Sequence, residues 1–184
     1  MSQVFFAEPD EANLDHLIFS DDPVISAFAR WLVLESEPDD WHLVADGWDW
    51  EKGEDPLWWI VTRPHCDRAT ALMIFWGSRP YQYLGHPPWQ TVDINEYDLY
   101  HTIRSRWAAG FYTRSEIAFD VEEDAEPVDF AAHRRRFGAE VDAVMPPGMR
   151  YLNGRHVVDM DFVDGIPTRF WEVDEPFDDE EEDA

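Results

Sequence analysis

Apolar side chains recur every three or four residues along most of the chain up to Met145, the spacing that gives a helix one buried face. The first such stripe is Val24, Phe28, Trp31 and Leu32. It stands behind an Asp22-Pro23 start, in which the carboxylate accepts free amide hydrogens and proline fits the first helical position. The pattern predicts a helix over 23–36, closed by Pro38. Asp39 and Asp40 then cap a short helix over 41–46 that ends at Gly47. Asp55-Pro56 repeats the start signal for a helix over 57–62, which is apolar almost all round and therefore expected at the centre. Arg63-Pro64 stops it, and Asp67 caps the next helix, over 68–76, with Ala69, Leu72, Met73 and Trp76 inward. The two form a helical hairpin joined by Pro64-His65-Cys66-Asp67.

After a loop with Pro80, Pro87 and Pro88, a longer helix is predicted over 95–109, carrying Tyr100, Ile103 and Trp107 on one face until Gly110. Residues 111–121 alternate loosely and read as extended, and 122–126 form a charged loop. A last helix is expected over 129–145, with Phe130, Phe137, Val141 and Val144 inward and Pro146-Pro147-Gly148 as its stop. From Arg155 the period changes to two, and Asp164-Gly165 is placed at the turn of a hairpin that returns from Thr168. The predicted architecture is mainly α: an irregular bundle of short antiparallel helices with a minor C-terminal β hairpin. Residues 1–171 read as one helical domain and 172–184 as a solvated acidic tail, since a dense block of one charge repels itself.

With 184 residues, 45% apolar and 15% aromatic, and with 10 Trp, the chain has enough large side chains for a core without disulfides. Cys66 is the only cysteine, which excludes an internal disulfide and fits a reducing compartment. The N-terminus reads as no secretory leader, and no apolar run approaches the roughly 20 residues of a membrane span. A cytoplasmic protein without membrane contact is expected. Forty acidic residues against 14 basic ones give a net charge of −26; nine of the acids lie from Glu172 onward, which leaves −17 on the body. Such a field repels a phosphate backbone, so nucleic acid is not an expected partner, and it attracts a basic protein. The bases are thirteen Arg and the single Lys52, a bias that general solubility or salt adaptation also produces.

The run Trp41-His42-Leu43-Val44-Ala45-Asp46-Gly47-Trp48-Asp49-Trp50, followed by Pro56-Leu57-Trp58-Trp59-Ile60 and by Pro64-His65-Cys66-Asp67-Arg68-Ala69-Thr70-Ala71-Leu72-Met73-Ile74-Phe75-Trp76, resembles a bacterial family known as domain of unknown function 4274. Gly110-Phe111-Tyr112 and Ile117-Ala118-Phe119-Asp120 are similar to its later segment, so the likeness runs over about residues 40–120. The resemblance implies a family and a fold class, and it brings no activity, cofactor or catalytic residue to this chain.

Adjacent His65 and Cys66 are the first base and nucleophile to consider, but catalytic pairs meet from distant positions and a lone cytosolic cysteine is ordinarily core. His156, Asp159 and Asp161 form the one metal-like group, and strand alternation turns His156 away from the two carboxylates. The sequence has no Gly-rich phosphate loop, no Gly-x-Ser-x-Gly elbow and no His-Glu-x-x-His pair. No catalytic residue, cofactor or metal ligand is therefore expected. The aromatic-rich middle is mainly core, with Trp48 and Trp50 placed at the surface by the Gly47 and Gly53 breaks. The candidate ligand or partner surface is Trp48, Trp50, His65, His86 and Trp89. The functional reading is a non-enzymatic acidic module, immunity- or antitoxin-like, that binds a basic protein. The alternative is a small-molecule-binding protein or an enzyme whose site lies in the aromatic-rich region.

Overall fold

The computed structural model describes residues 14–85, 94–158 and 161–171. Among them are eight α-helices: α1 (Asp15–Ile18), α2 (Pro23–Leu34), α3 (Pro38–Gly47), α4 (Asp55–Val61), α5 (Arg68–Gly77), α6 (Ile94–Ala108), α7 (Phe130–Phe137) and α8 (Glu140–Val144). Two antiparallel strand pairs accompany them, β1 (Phe119–Asp120) with β2 (Tyr151–Leu152) and β3 (Phe162–Val163) with β4 (Ile166–Pro167). The protein is mainly α, as its hydrophobic periodicity predicts.

Helix starts follow the carboxylates. Asp22 accepts the Val24 and Ile25 amides at 2.8 and 3.2 Å, Asp67 the Ala69 amide at 2.9 Å, and Asp129 the Ala132 amide at 2.8 Å. Helix α3 begins earlier than predicted, because Pro38 opens it instead of closing α2. The Glu37 amide donates to Asp40 Oδ2 at 2.8 Å in a reciprocal capping box. The helix expected over 129–145 is two, since Gly138 leaves helical geometry at φ 61° and ψ −132°. Helix α1, at four residues, is too short to show a period and has no counterpart in the sequence pattern.

The C-terminal hairpin turns at Asp164-Gly165, both with positive φ, but its strands are only two residues long. The expected return strand from Thr168 is a 3₁₀ turn, Thr168–Phe170, held by the Thr168 amide donating to Asp161 O at 2.7 Å. The stretch over 111–121 pairs in β1 alone, and single bridges join Asp67 to Arg114 and Ile117 to Arg155.

The centre of the core is α5, not α4. Helix α5 buries Ala69, Thr70, Ala71, Leu72, Ile74, Phe75 and Trp76 and packs against α3, α4, α6 and β1. Helix α4 lies against it with Trp58 half-buried. Phe28, Leu32, Leu57, Ile60, Leu99 and Ile103 are fully buried around this centre, each such side chain contributing about 1.5–3 kcal/mol on leaving water. The later chain docks on the same core: Trp76 Nε1 donates to Met149 O at 2.7 Å, and Tyr100 Oη to Val144 O at 3.3 Å. Trp31 meets Phe162 and Phe170 with ring centroids 6.0 and 5.8 Å apart. The hairpin turn rests on the end of α3, where a Cβ on Gly165, already at φ 73°, would come within 2.6 Å of Val44 O.

Candidate functional site

A cleft of about 720 Å³ opens between the end of α3, the turn after it, the end of α5 and the loop after β1. Asp49 positions the first of these turns by accepting the Glu51 amide at 3.0 Å, which sets Trp50 over α5. A Cβ on Gly77 would lie 2.4 Å from Trp50 Cζ2, so the indole reaches the helix only because residue 77 is glycine. Met73 and Trp76 complete the apolar side of the cleft. The opposite wall is the loop Glu123, Asp124, Ala125 and Glu126. Its shape comes from carboxylates turned onto their own backbone: Asp120 Oδ1 accepts the Glu122 amide at 2.9 Å, and Asp124 Oδ2 the Asp120 amide at 2.7 Å.

Among the described residues six carboxylates line the cleft, Asp46, Asp49, Glu51, Glu123, Asp124 and Glu126, against one cation, Arg79. That cation is engaged, its Nη2 donating to Glu96 Oε1 at 3.0 Å, and the contact raises the Arg79 pKa. Tyr81 Oη donates to Glu126 Oε2 at 2.7 Å; burial first, and then this bond, push the phenol up to about 12, so it stays a donor at neutral pH. The cleft therefore presents negative charge beside an indole, an arrangement suited to an ammonium or guanidinium group. The acidic lining is spread widely: among the described residues no group of three or more His, Cys, Asp or Glu is arranged to hold a metal ion.

The residues singled out from the sequence go to different places. Trp50 is half-buried on the cleft wall. Trp48, expected at the surface, is 6% exposed: it stacks on Phe28 with centroids 5.5 Å apart and donates Nε1–H to Gly53 O at 2.8 Å. The breaks around it bend the chain inward, and this corrects its assignment to the surface. His65 is exposed on the α4–α5 turn, and His86 and Trp89 lie outside the described residues. In the metal-like group, His156 is exposed and lines a second, smaller cleft, while Asp159 lies outside the described residues. Cys66 is fully buried with its Sγ 3.4 Å from Asp67 O, and burial, reinforced by the Asp67 charge, raises its thiol far above the usual range. It is a packing residue. Sequence reasoning missed Glu123, Asp124 and Glu126 as one wall of a site; they read as a charged loop, and only the tertiary fold brings them opposite Asp46 and Glu51.

Asp67 carries the motif Pro64-His65-Cys66-Asp67. Fully buried, it accepts the Glu116 amide at 2.8 Å as well as the Ala69 amide, and Arg114 Nε stands 3.6 Å away. Arg114 also meets Asp39 and Glu116, each at 3.0 Å. The motif is thus an architectural staple between the start of α5 and the stretch leading to β1.

No helix among the described residues is long and apolar enough to cross a membrane. No curated protein and no solved structure matches the chain. The family model described as Domain of unknown function (DUF4274) matches residues 36–131, a span that holds every residue lining the acidic cleft. That match covers more than half of the sequence, and the chain belongs to this family.

Proposed function

We propose that the protein is a non-enzymatic acidic binding module of the cytoplasm, one that captures a basic protein by seating a lysine or arginine side chain in the cleft beside Trp50. The observation that carries this reading is the cleft lining, among the described residues six carboxylates around an indole with one, already paired arginine. A net charge of −26 accelerates encounter with a cationic partner, and the cleft fixes where the contact is made. The analogy is to small immunity or antitoxin-like proteins, which neutralise basic partners through acidic faces. A small organic cation is the second reading, favoured by the concavity of the same cleft.

The test is affinity capture from the native cytosol at low and high salt, using the full chain and a variant with Asp46→Asn, Glu51→Gln and Glu123→Gln. All three side chains are exposed, so their neutralisation leaves the core intact. One basic protein retained at low salt and released at high salt, with at least about tenfold weaker retention by the variant, is the expected result. Equal capture by both chains would remove the cleft from the interaction. Capture of no basic protein, with saturable binding of spermidine instead, would establish the second reading.

A further inference from the structure

Arg79 and Lys52 stand at the acidic cleft, and each is held by a carboxylate outside its lining. For Arg79 that partner is Glu96, as described. Lys52, the chain's single lysine, follows the cleft residues Trp50 and Glu51 without lining the cleft itself. Among the described residues it pairs with neither Asp49 nor Glu51, its neighbours on the cleft wall, but with Asp164, 112 positions away. Its Nζ donates to Asp164 Oδ2 at 3.0 Å and stands 5.5 Å from the centroid of the Trp171 ring.

Both sides of this contact are anchored without it. The stretch 161–171 meets α3 backbone to backbone, since a Cβ on Gly47 would lie 2.7 Å from Gly165 N. Its Phe162 and Phe170 pack on Trp31. The turn that carries Lys52 is fixed by Trp48 Nε1, which donates to Gly53 O at 2.8 Å, and by Trp50 lying on Gly77. An ion pair whose side chains are 30% and 53% exposed adds little to these anchors. What the pair decides is where a cation beside six carboxylates points. Lysine has a flexible four-carbon stem, so an ammonium at residue 52 can turn either to Asp164 or over the neighbouring Glu51.

We propose that the C-terminal stretch 161–171 regulates the cleft by holding the Lys52 ammonium on Asp164 and Trp171, away from the cleft carboxylates. Released from them, Lys52 is an internal competitor for a cationic ligand, drawn to Glu51 and the acids around Trp50. A tethered group competes at a high effective concentration, so even a short-range swing of one side chain closes part of the cleft to an incoming lysine or arginine. The regulatory role rests on the cleft being a seat for cations; the placing of Lys52 does not.

Asparagine tolerates the φ of 51° at residue 164 as aspartate does, so Asp164→Asn removes the charge and keeps the turn. The probes are spermidine and Nα-acetyl-arginine amide, titrated into the ¹⁵N-labelled full chain with the Trp50 indole N–H signal as readout. Asp164→Asn should bind them about threefold to fivefold more weakly, the scale of an exposed ion pair. Lys52→Gln should bind as tightly as the native chain or more so, and Asp164→Asn combined with Lys52→Gln should match it. Trp171→Ala, at an exposed position, should act in the same direction as Asp164→Asn and serves if that variant alters the fold. Equal weakening by Asp164→Asn and Lys52→Gln would make the contact a structural brace and overturn the proposal, as would unchanged affinity in both Asp164→Asn and Trp171→Ala. The Hε protons of the single lysine give a readout free of any ligand: a nuclear Overhauser contact with Trp171 in the native chain, replaced by one with Trp50 when Asp164→Asn and Trp171→Ala are combined. A native chain that binds neither probe removes the cation seat, and the lysine contacts then decide the placing of Lys52 alone; no contact with Trp50 in the combined variant overturns it.

Discussion

His42 lies in the interior of α3, 6% exposed, with Nδ1 3.1 Å from Thr70 Oγ1. Burial pushes its pKa below the ordinary 6.5, although Asp46, Asp67, Asp124 and Asp39 pull in the other direction. The unfolded chain, with this histidine solvated, takes up the proton at a higher pH than the folded one. The depressed value therefore gives stability that is present above 6.5 and is lost as pH falls towards the folded pKa, because the unfolded state then binds more protons. Urea unfolding at about pH 7 and about pH 5.5 should show this loss in the native chain, each unit of depression corresponding to ~1.4 kcal/mol. His42→Gln retains a polar partner for Thr70 and should lose less over the same interval. An identical loss in the variant would assign the slope to other groups, among them His101, whose pKa burial also lowers.

Among the elements, those written within one turn of chain are legible in the sequence and those made by distant contacts are not. The caps at Asp22 and Asp67 are read directly, because a carboxylate and the amides it accepts are two or three residues apart. The Asp164-Gly165 turn is legible for the same reason. Gly138 is hidden because apolar spacing continues across it, and the central position of α5 depends on α3, α4, α6 and β1 closing around it. The site is half legible: Trp50 stands out in the sequence, while its opposite wall is carried by residues over 70 positions away. At the hairpin turn, local and distant requirements meet in one residue, since Gly165 needs both a positive φ and the absence of a Cβ against Val44 O. Gly165→Ala should destabilise by about 2–3 kcal/mol through backbone strain and overpacking. Gly148→Ala, where nothing stands within 4 Å, should change stability by less than about 0.5 kcal/mol. Equal midpoints for the two in urea would mean that α3 and the hairpin are not held together at this turn.

For the whole molecule, the sign of the charge balance decides how salt acts. Local attractions exist, such as Asp39 with Arg114 and Arg155, but 14 cations cannot offset 40 carboxylates. The acidic cleft sets six carboxylates around one space. Self-repulsion thus outweighs the attractions, and salt screens it. Raising sodium chloride from about 0.01 M to about 1 M shortens the Debye length from ~30 to ~3 Å. The thermal midpoint should rise, a gain of about 1 kcal/mol corresponding to roughly 2–4 °C for a chain of this size. A falling midpoint would show instead that the ion pairs around Asp39 and Asp67 outweigh the repulsion. Capture of a basic partner responds in the opposite sense, since the same ions screen the attraction. A chain that grows more stable with salt while releasing its partner uses its acidity for binding at the expense of its own folding. One that grows more stable with salt and has no partner to release carries its charge as a solubility or salt adaptation. Measuring stability and capture over one salt series separates the two.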